Sequence, residues 1–315
     1  MKAVCYIGID VAKDRLDVHL RPLAKTIAVT NDSNGITRLL EVISSLHVER
    51  IVLEASGGYE KAAFLAMAEA GHAVSIVNPR QVRDFAKGAG RLAKTDAIDA
   101  TTLAHFAEVF RPRETRPLTE VESQLAEYVA YRRYLIREMI CARNQLRSIE
   151  APSLRATLER RLAAAKAECK SIEAELVNLA RSSEKRDLFD LLTSVPGVGA
   201  LLACTLIASL RELGTLSRRE IASLVGVAPM NNDSGRRRGH RFVTGGRGSI
   251  RTVLYMATLT ASRFNAAISV FYGRLRLAGK PSKVALTACM RKLLTVLNAM
   301  VRDRRPWAQP ASLCE

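Results

Sequence analysis

Residues 5–22 read CYIGIDVAKDRLDVHLRP, and residues 49–55 read ERIVLEA. In the first stretch, apolar and polar residues alternate on either side of a polar break at Lys13 and Asp14. That is the pattern of two half-buried strands joined by a turn. TIAVTN (26–31) offers a third strand of the same meander, and ERIVLEA fits a buried strand. Ser33 to Leu46 has helical spacing, Tyr59 to Ala70 reads as a helix, HAVSIVNP (72–79) as a strand, and a helix from about Thr95 to Phe110 closes the unit. A meander followed by alternating helices and strands describes an α/β domain with a mixed sheet, here residues 1–115.

Pro112 and Pro117 mark a break. From Leu118 to about Leu179 the chain is rich in Leu, Ala, Glu and Arg, and Pro152 divides it into two long amphipathic helices. This predicts a helical linker over 116–185. Its heptads are imperfect, so a dimerising coiled coil and an ordinary bundle both stay open. Leu188 to Leu210 reads as two helices around Pro196-Gly197-Val198-Gly199. That turn could bring the backbone of Gly197 and Gly199 to a phosphate, as a helix-hairpin-helix connection does, or simply join two helices. Ile221 to Val227 is a short helix, Asn231 to Ser249 a polar, basic loop, and Ile250 to Phe264 and Lys283 to Val301 are helices. Residues 186–305 thus form a mainly helical domain and 306–315 a tail, so the fold class is α/β plus all-α.

The 315 residues carry 48 Lys plus Arg against 31 Asp plus Glu, a net charge of +17. A hydrophobic fraction of 48% is ordinary for a globular chain and excludes collagen-like, mucin-like and acidic-tail classes. Residues 1–110 hold 13 basic and 13 acidic groups, so the whole excess lies beyond them. Residues 230–305 hold 16 basic groups and two acids, Asp233 and Asp303, which points to a polyanion-binding surface, nucleic acid above all. The six cysteines (5, 141, 169, 204, 289, 314) form no CxxC, and the five histidines lack metal-ligand spacing, so neither a zinc site nor a disulfide framework is expected. Reduced cysteines fit a cytoplasmic protein. The opening residues do not read as a signal peptide, and the uncharged run Leu191 to Leu210 is interrupted by Pro196, Gly197 and Gly199, which argues against a membrane span.

Four acids stand out. Asp10 ends the apolar run YIGID, Glu54 ends IVLE, and Asp96 and Asp99 lie in KTDAIDA. Residues three apart on a helix share a face about 5–6 Å apart, so the last two repel unless a cation separates them. Magnesium favours carboxylate oxygens. Four convergent carboxylates could hold two ions roughly 3.5–4 Å apart, the layout that acts on both oxygens of a phosphodiester. Taken singly, each acid also fits a turn or cap role.

GIDVAK (8–13), LEASGGYE (53–60) and KTDAIDA (94–100), in that order, resemble the RuvC-like DEDD domain of insertion sequence 110 family transposases. SVPGVG (194–199), LVGVAPMNNDSGRRRGH (224–240) and GSIRTVLYMATL (248–259) resemble that family's second, serine-bearing domain. The resemblance spans nearly the whole chain. It implies an RNase H-like fold for the first domain, with Asp10, Glu54, Asp96 and Asp99 as Mg2+ ligands. It also implies that Ser234, after Gly226-Val227-Ala228-Pro229, is the nucleophile. Ser249 competes for that role, or else serves as the N-cap of the Ile250 helix.

By the same resemblance the protein is a DNA transposase or site-specific recombinase acting on donor and target DNA. A bridge RNA would guide it, and two protomers' domains would combine into composite sites within a tetramer, in the bacterial cytoplasm at the nucleoid. A phosphoserine keeps the phosphodiester for a 3′-hydroxyl to attack, where hydrolysis would lose it. Arg236, Arg237, Arg238 and Arg241 flank Ser234 and, with Arg247 and Arg251, are expected to grip phosphate. His240 is a weaker candidate for a base than for a phosphate contact or a solvent-facing residue. A hydrolytic junction nuclease needing only the acids, and a noncatalytic nucleic-acid-binding protein, are the alternatives.

Overall fold

Strands β1 (Val4–Val11), β2 (Arg15–Arg21) and β3 (Lys25–Thr30) form an antiparallel meander. Helix α1 (Ser33–Ser44) then crosses to β4 (His47–Glu54), which pairs parallel to β1. Helix α2 (Lys61–Glu69) leads to β5 (Val74–Val77), parallel to β4, and the sheet order is β3-β2-β1-β4-β5. Helices α3 (Pro79–Gly88) and α4 (Asp96–Phe110) follow. The computed structural model describes residues 4–90, 96–235, 237–239 and 241–308, with the backbone alone at 96–98, 237 and 238. The mixed sheet is consistent with an RNase H-like domain. Periodicity in the sequence gives no sign of α3, which Asn78 caps by accepting a hydrogen bond from Arg80 N at 2.9 Å.

Strand alternation sorts the residues between two layers. Ile7, Ile9 and Val11 of β1, with Leu16, Val18 and Leu20 of β2, pack against Ile36, Leu39 and Ile43 of α1 and Phe64 and Met67 of α2. On the other face Tyr6, Val52 and Val77 pack with Leu103, Phe106 and Ala107 of α4. Gly8 lies on this second face. A Cβ there would sit 2.2 Å from Ala104 N and 2.3 Å from the Ala100 carbonyl oxygen, so helix backbone rests directly on strand backbone. Tyr6 meets Leu103, Phe106 and Ala107, whereas Gly8 meets Ala100 to Ala104, so α4 runs antiparallel to β1 and starts near the strand's C-terminal end.

The chain divides into two compact units, 1–117 and 118–315. In the second, α5 (Glu120–Gln145) and α6 (Pro152–Ser182) form the hairpin that Pro152 foretold. Leu135, Met139 and Cys169 pack between them, and Arg132 Nε donates to Glu173 at 2.6 Å. The hairpin is not a separate linker. Its inner ends contribute Leu125, Leu176 and Ala180 to the core built from α7 (Arg186–Thr193), α8 (Ala200–Ser209), α9 (Arg218–Val225), α10 (Gly248–Phe264) and α12 (Ser282–Asp303). Between the last two lies α11 (Ala266–Leu277), whose N-cap Asn265 accepts from Ile268 N at 3.2 Å. Among the described residues, α12 alone is long and apolar enough to cross a membrane (mean hydropathy 1.5), and half of that stretch is buried in this core.

Gly8→Ala is expected to force α4 off the sheet, cost about 1–3 kcal/mol or more, and lower the melting temperature of the first unit by several degrees. Leu125→Ala is expected to cost about 2–5 kcal/mol and to destabilise, in calorimetry or hydrogen exchange, the same cooperative unit as Leu254→Ala. A hairpin that melted independently would show no such coupling.

Candidate active site

Asp10 and Glu54 stand one step beyond the paired residues Ile9 and Leu53 on neighbouring parallel strands. Side chains two apart on a strand share a face. Asp10 therefore follows Gly8, and Glu54 follows Val52, on the side that α4 covers. Because α4 begins near this end of β1, its first turn, with Asp96 and Asp99, lies towards the same end. Asp10, Glu54 and Asp99 each take part in a polar or electrostatic interaction. The described residues contain no group of three Asp, Glu, His or Cys able to hold a metal by themselves, and the Asp96 side chain lies outside them. The donors are all hard carboxylate oxygens, the chemistry that suits Mg2+.

Two further acids belong to this neighbourhood. Asp17 is the cross-strand partner of Asp10, only 5% exposed, and Arg15 holds it through Nη2 at 2.6 Å and Nε at 3.0 Å. Like charges directly opposite one another destabilise a sheet, so Arg15 supplies the counter-charge. Alternation in RLDVHL marks Asp17 only as facing away from Leu16 and Val18, and nothing local says that α4 covers that face. Glu60 accepts from Ser56 N at 3.1 Å and Gly58 N at 2.8 Å, which shapes the loop that leaves Glu54. Asn31 joins this loop to the β1–β2 turn by donating from Nδ2 to Ala12 O (2.9 Å) and Tyr59 O (3.1 Å).

Ser234 ends β6 (Asp233–Ser234), which pairs antiparallel with β7 (Arg237–Arg238); Ser234 is opposite Arg237. The expected loop is therefore a small hairpin. Gly235 (φ +55) opens its turn, and a bridge between Met230 and Phe242 supports its base. Ser234 is exposed at the tip. Arg241 is exposed too, whereas Arg236, His240 and the side chains of Arg237 and Arg238 lie outside the described residues. Ser249 sits inside the first turn of α10, whose N-cap is Arg247, so Ser249 is not the cap.

Arg247 and Arg251, expected to grip phosphate, are engaged within the protein instead. Arg247 grips both Glu212 oxygens at 2.6 Å and donates to Ser209 O at 2.8 Å. Arg251 Nη1 donates to Gly245 O at 2.6 Å. Their charge suggested a ligand, and no sequence spacing announces a carboxylate 35 residues away. Burial alone would raise the Glu212 pKa, but hydrogen bonds and charge from Arg247 outweigh it and hold the carboxyl below its ordinary value.

Gly197 is a packing glycine. Its φ is +94, and a Cβ there would meet Ala261 Cα at 2.5 Å. Gly199, by contrast, is exposed at the start of α8 with open space beside it and no side-chain cap. Exposed Arg263, Arg274, Arg276, Lys280 and Lys283 extend the basic surface of the second unit. Burial pushes the Cys204 thiol up to about 12 and the Cys289 thiol to about 11, so neither is a nucleophile at neutral pH.

A family model described as Transposase, for DEDD transposases of the IS110 group, matches residues 7–149, and one described as Transposase IS116/IS110/IS902 family matches residues 189–273. The chain is 29% identical over 316 aligned residues to a pilin gene-inverting protein of Moraxella bovis, covering 96% of this chain and 97% of that one. The same identity and coverage hold for the pilin gene-inverting protein of Moraxella lacunata. A 43.6 kDa protein of insertion element IS110 from Streptomyces coelicolor is 31% identical over 38% of this chain and 30% of its own length. The two matched segments together cover most of the chain and make it a member of the IS110 family of transposases, a DNA transposase/recombinase.

Proposed function

We propose that the protein is a Mg2+-dependent site-specific recombinase that cleaves and rejoins DNA through a phosphoserine at Ser234, guided by a bridge RNA. The observation that carries this reading is the Ser234 hairpin, a hydroxyl at the exposed tip of an arm in the most basic part of the chain. A hydrolytic nuclease needs only the acids and leaves this serine without a chemical role. Full-length similarity to pilin gene-inverting proteins favours an enzyme whose product is rejoined DNA over one that leaves breaks.

In the proposed reaction Ser234 Oγ attacks phosphorus. An Oγ–P bond forms, the P–O3′ bond breaks, the hydroxyl proton leaves to a base, and the departing 3′ oxygen takes up a proton. A new 3′-hydroxyl then attacks the phosphoserine: an O3′–P bond forms as the Oγ–P bond breaks, the hydroxyl proton leaves to a base and Oγ takes up a proton, so the bond energy is conserved. Asp10, Glu54, Asp96 and Asp99 would hold the metal. When bound, Mg2+ stabilises negative charge on the attacking and leaving oxygens. Arg236, Arg237, Arg238 and Arg241 would orient the phosphate and neutralise the charge that develops on it.

The serine and the acids must serve one phosphate, which the composite sites of a dimer assembling to a tetramer would provide. Base pairing with the bridge RNA would select the donor and target sequences. The protein would then read shape and backbone, in keeping with its 5% aromatic content. Ser249, half-buried in the first turn of α10, is the weaker nucleophile candidate.

Ser234→Ala is expected to abolish the covalent DNA adduct on denaturing gels and to lower strand transfer by at least about 10³-fold, with DNA affinity intact. Strand transfer at the normal rate would sink the serine mechanism. Chelation by EDTA, and separately Asp10→Asn or Asp99→Asn, should stop adduct formation while leaving DNA bound. Binding itself should weaken about 10³-fold or more between 50 and 200 mM salt if six or more phosphates are contacted. A flat salt dependence in a mobility-shift titration would show that the basic surface is not the contact.

A further inference from the structure

Between Gly226 and Arg247 the chain leaves the helical body of the second unit and returns to it, and the two roots of this excursion touch. At the outgoing root α9 ends on Gly226 in the left-handed conformation (φ +77). At the returning root Gly245 and Gly246 have φ +66 and +65. A Cβ on Gly246 would lie 2.3 Å from Gly226 N, and one on Gly226 would lie 2.3 Å from Gly245 O. Arg251, in the first turn of α10, closes this contact. Its Nη1 donates to Gly245 O at 2.6 Å and reaches Val225 O and Gly226 O at 3.3 Å, so one guanidinium joins the end of α9 to the returning chain. Arg247 N donates to Leu224 O at 2.9 Å beside it.

We propose that Arg251 is a positioning residue for strand transfer: it closes the neck of the Ser234 hairpin and so fixes the direction in which the hydroxyl is presented. The proposal rests on the reading of Ser234 as nucleophile. The hairpin has two-residue strands and an exposed Phe242 at its base, too little to hold an orientation of its own. Its direction is therefore set at its roots. Ser234 is eight residues from Gly226, an arm of at most about 25 Å, so a tilt of a few degrees at the neck moves Oγ by about 1 Å. A misplacement of that size at a reacting atom costs up to about 10²-fold in rate. All three bonds come from Nη1, which lies one bond farther from the backbone than a lysine Nζ, so lysine bridges the two roots less well.

The experiment uses the full-length protein with DNA carrying the element's own ends. Arg251→Ala should speed trypsin cleavage at Arg236 to Arg241 several-fold and slow adduct formation by up to about 10²-fold. DNA affinity and its salt slope should not change. Arg251→Lys should fall between, and guanidinium ion at millimolar concentration should restore part of the adduct rate to Arg251→Ala. A variant that fails to fold leaves Arg251→Lys to decide. An unchanged adduct rate overturns the proposal, and so does a loss of affinity accompanied by a salt slope smaller by about one, the mark of a lost phosphate contact. Adduct formation that survives in Ser234→Ala overturns the nucleophile reading and the catalytic role of Arg251 with it. Trypsin protection then reports separately whether Arg251 holds the neck.

Discussion

The first unit depends on how closely α4 can approach β1, and Gly8 decides that. With no side chain there, the Ala100 to Ala104 backbone lies against the strand, and small residues on the helix (Ala100, Ala104 and Ala107, all fully buried) keep the contact tight along its length. Because the helix runs antiparallel to β1, the same contact draws its N-terminal turn towards the strand ends that carry Asp10 and Glu54. The positive end of the helix dipole favours carboxylates in that turn, where Asp96 and Asp99 sit. Residues further along anchor the opposite end of the helix: Arg21 is ion-paired with Glu108, and the Arg111 guanidinium lies over the Tyr6 ring at 5.8 Å. A helix held at both ends against a sheet is a stiff mount for charges that repel one another.

The second unit solves a different problem, carrying an exposed arm on a crowded basic surface. Most of its cations face solvent, but two arginines turn inward to hold the arm's roots. Glu212 is the carboxylate that Arg247 grips, and Arg247 keeps it charged against the burial that would neutralise it. Its folded pKa is depressed, so its contribution is present above the unfolded carboxylate value near 4.5 and is lost as pH falls through the folded value. At neutral pH the brace is therefore fully engaged.

Local pattern carried most of the fold. Alternation in CYIGIDVAKDRLDVHLRP, Pro152 between two long helices, and the glycine turn at 196–199 all find their elements where periodicity put them. Helix α11 escaped because Asn265 at once ends α10 and caps the next helix, leaving no loop between them to read. The hairpin escaped because Asn231 to Ser249 has no apolar alternation, while the bonds that close it run from Gly239 N to Asn232 O at 3.1 Å and to the Asp233 carboxylate at 3.2 Å. Arg247 and Arg251 were read by charge, while their roles come from Glu212 and from carbonyls brought close by glycines. Such partnerships are three-dimensional facts. Leu125, Leu176 and Ala180 make the same point for the helical hairpin: their spacing predicts an apolar stripe, but not that the stripe joins the core that Phe189 to Met300 build. Of the candidate site, the strand-end acids could be read locally, and the buried Asp17 could not.

The division of charge has a mechanistic consequence. A cluster of carboxylates repels a phosphodiester, and residues 1–110 are neutral overall, so this half of the chain gains little from long-range attraction to DNA. The excess of +17 lies entirely in the remainder, where counterion release on contact with phosphates would supply binding energy that carries no sequence information. In the proposed reaction, holding DNA and breaking it are thus assigned to different groups of opposite sign. In that reaction salt would act on the first and metal on the second, and the Ser234 arm would serve both. For that reaction it would need an exposed tip, because the phosphate would come to it on a bulky duplex. It also needs a rigid neck, because a phosphoserine that swung away before the new 3′-hydroxyl arrived would be left to water, and the bond energy that makes rejoining possible would be lost.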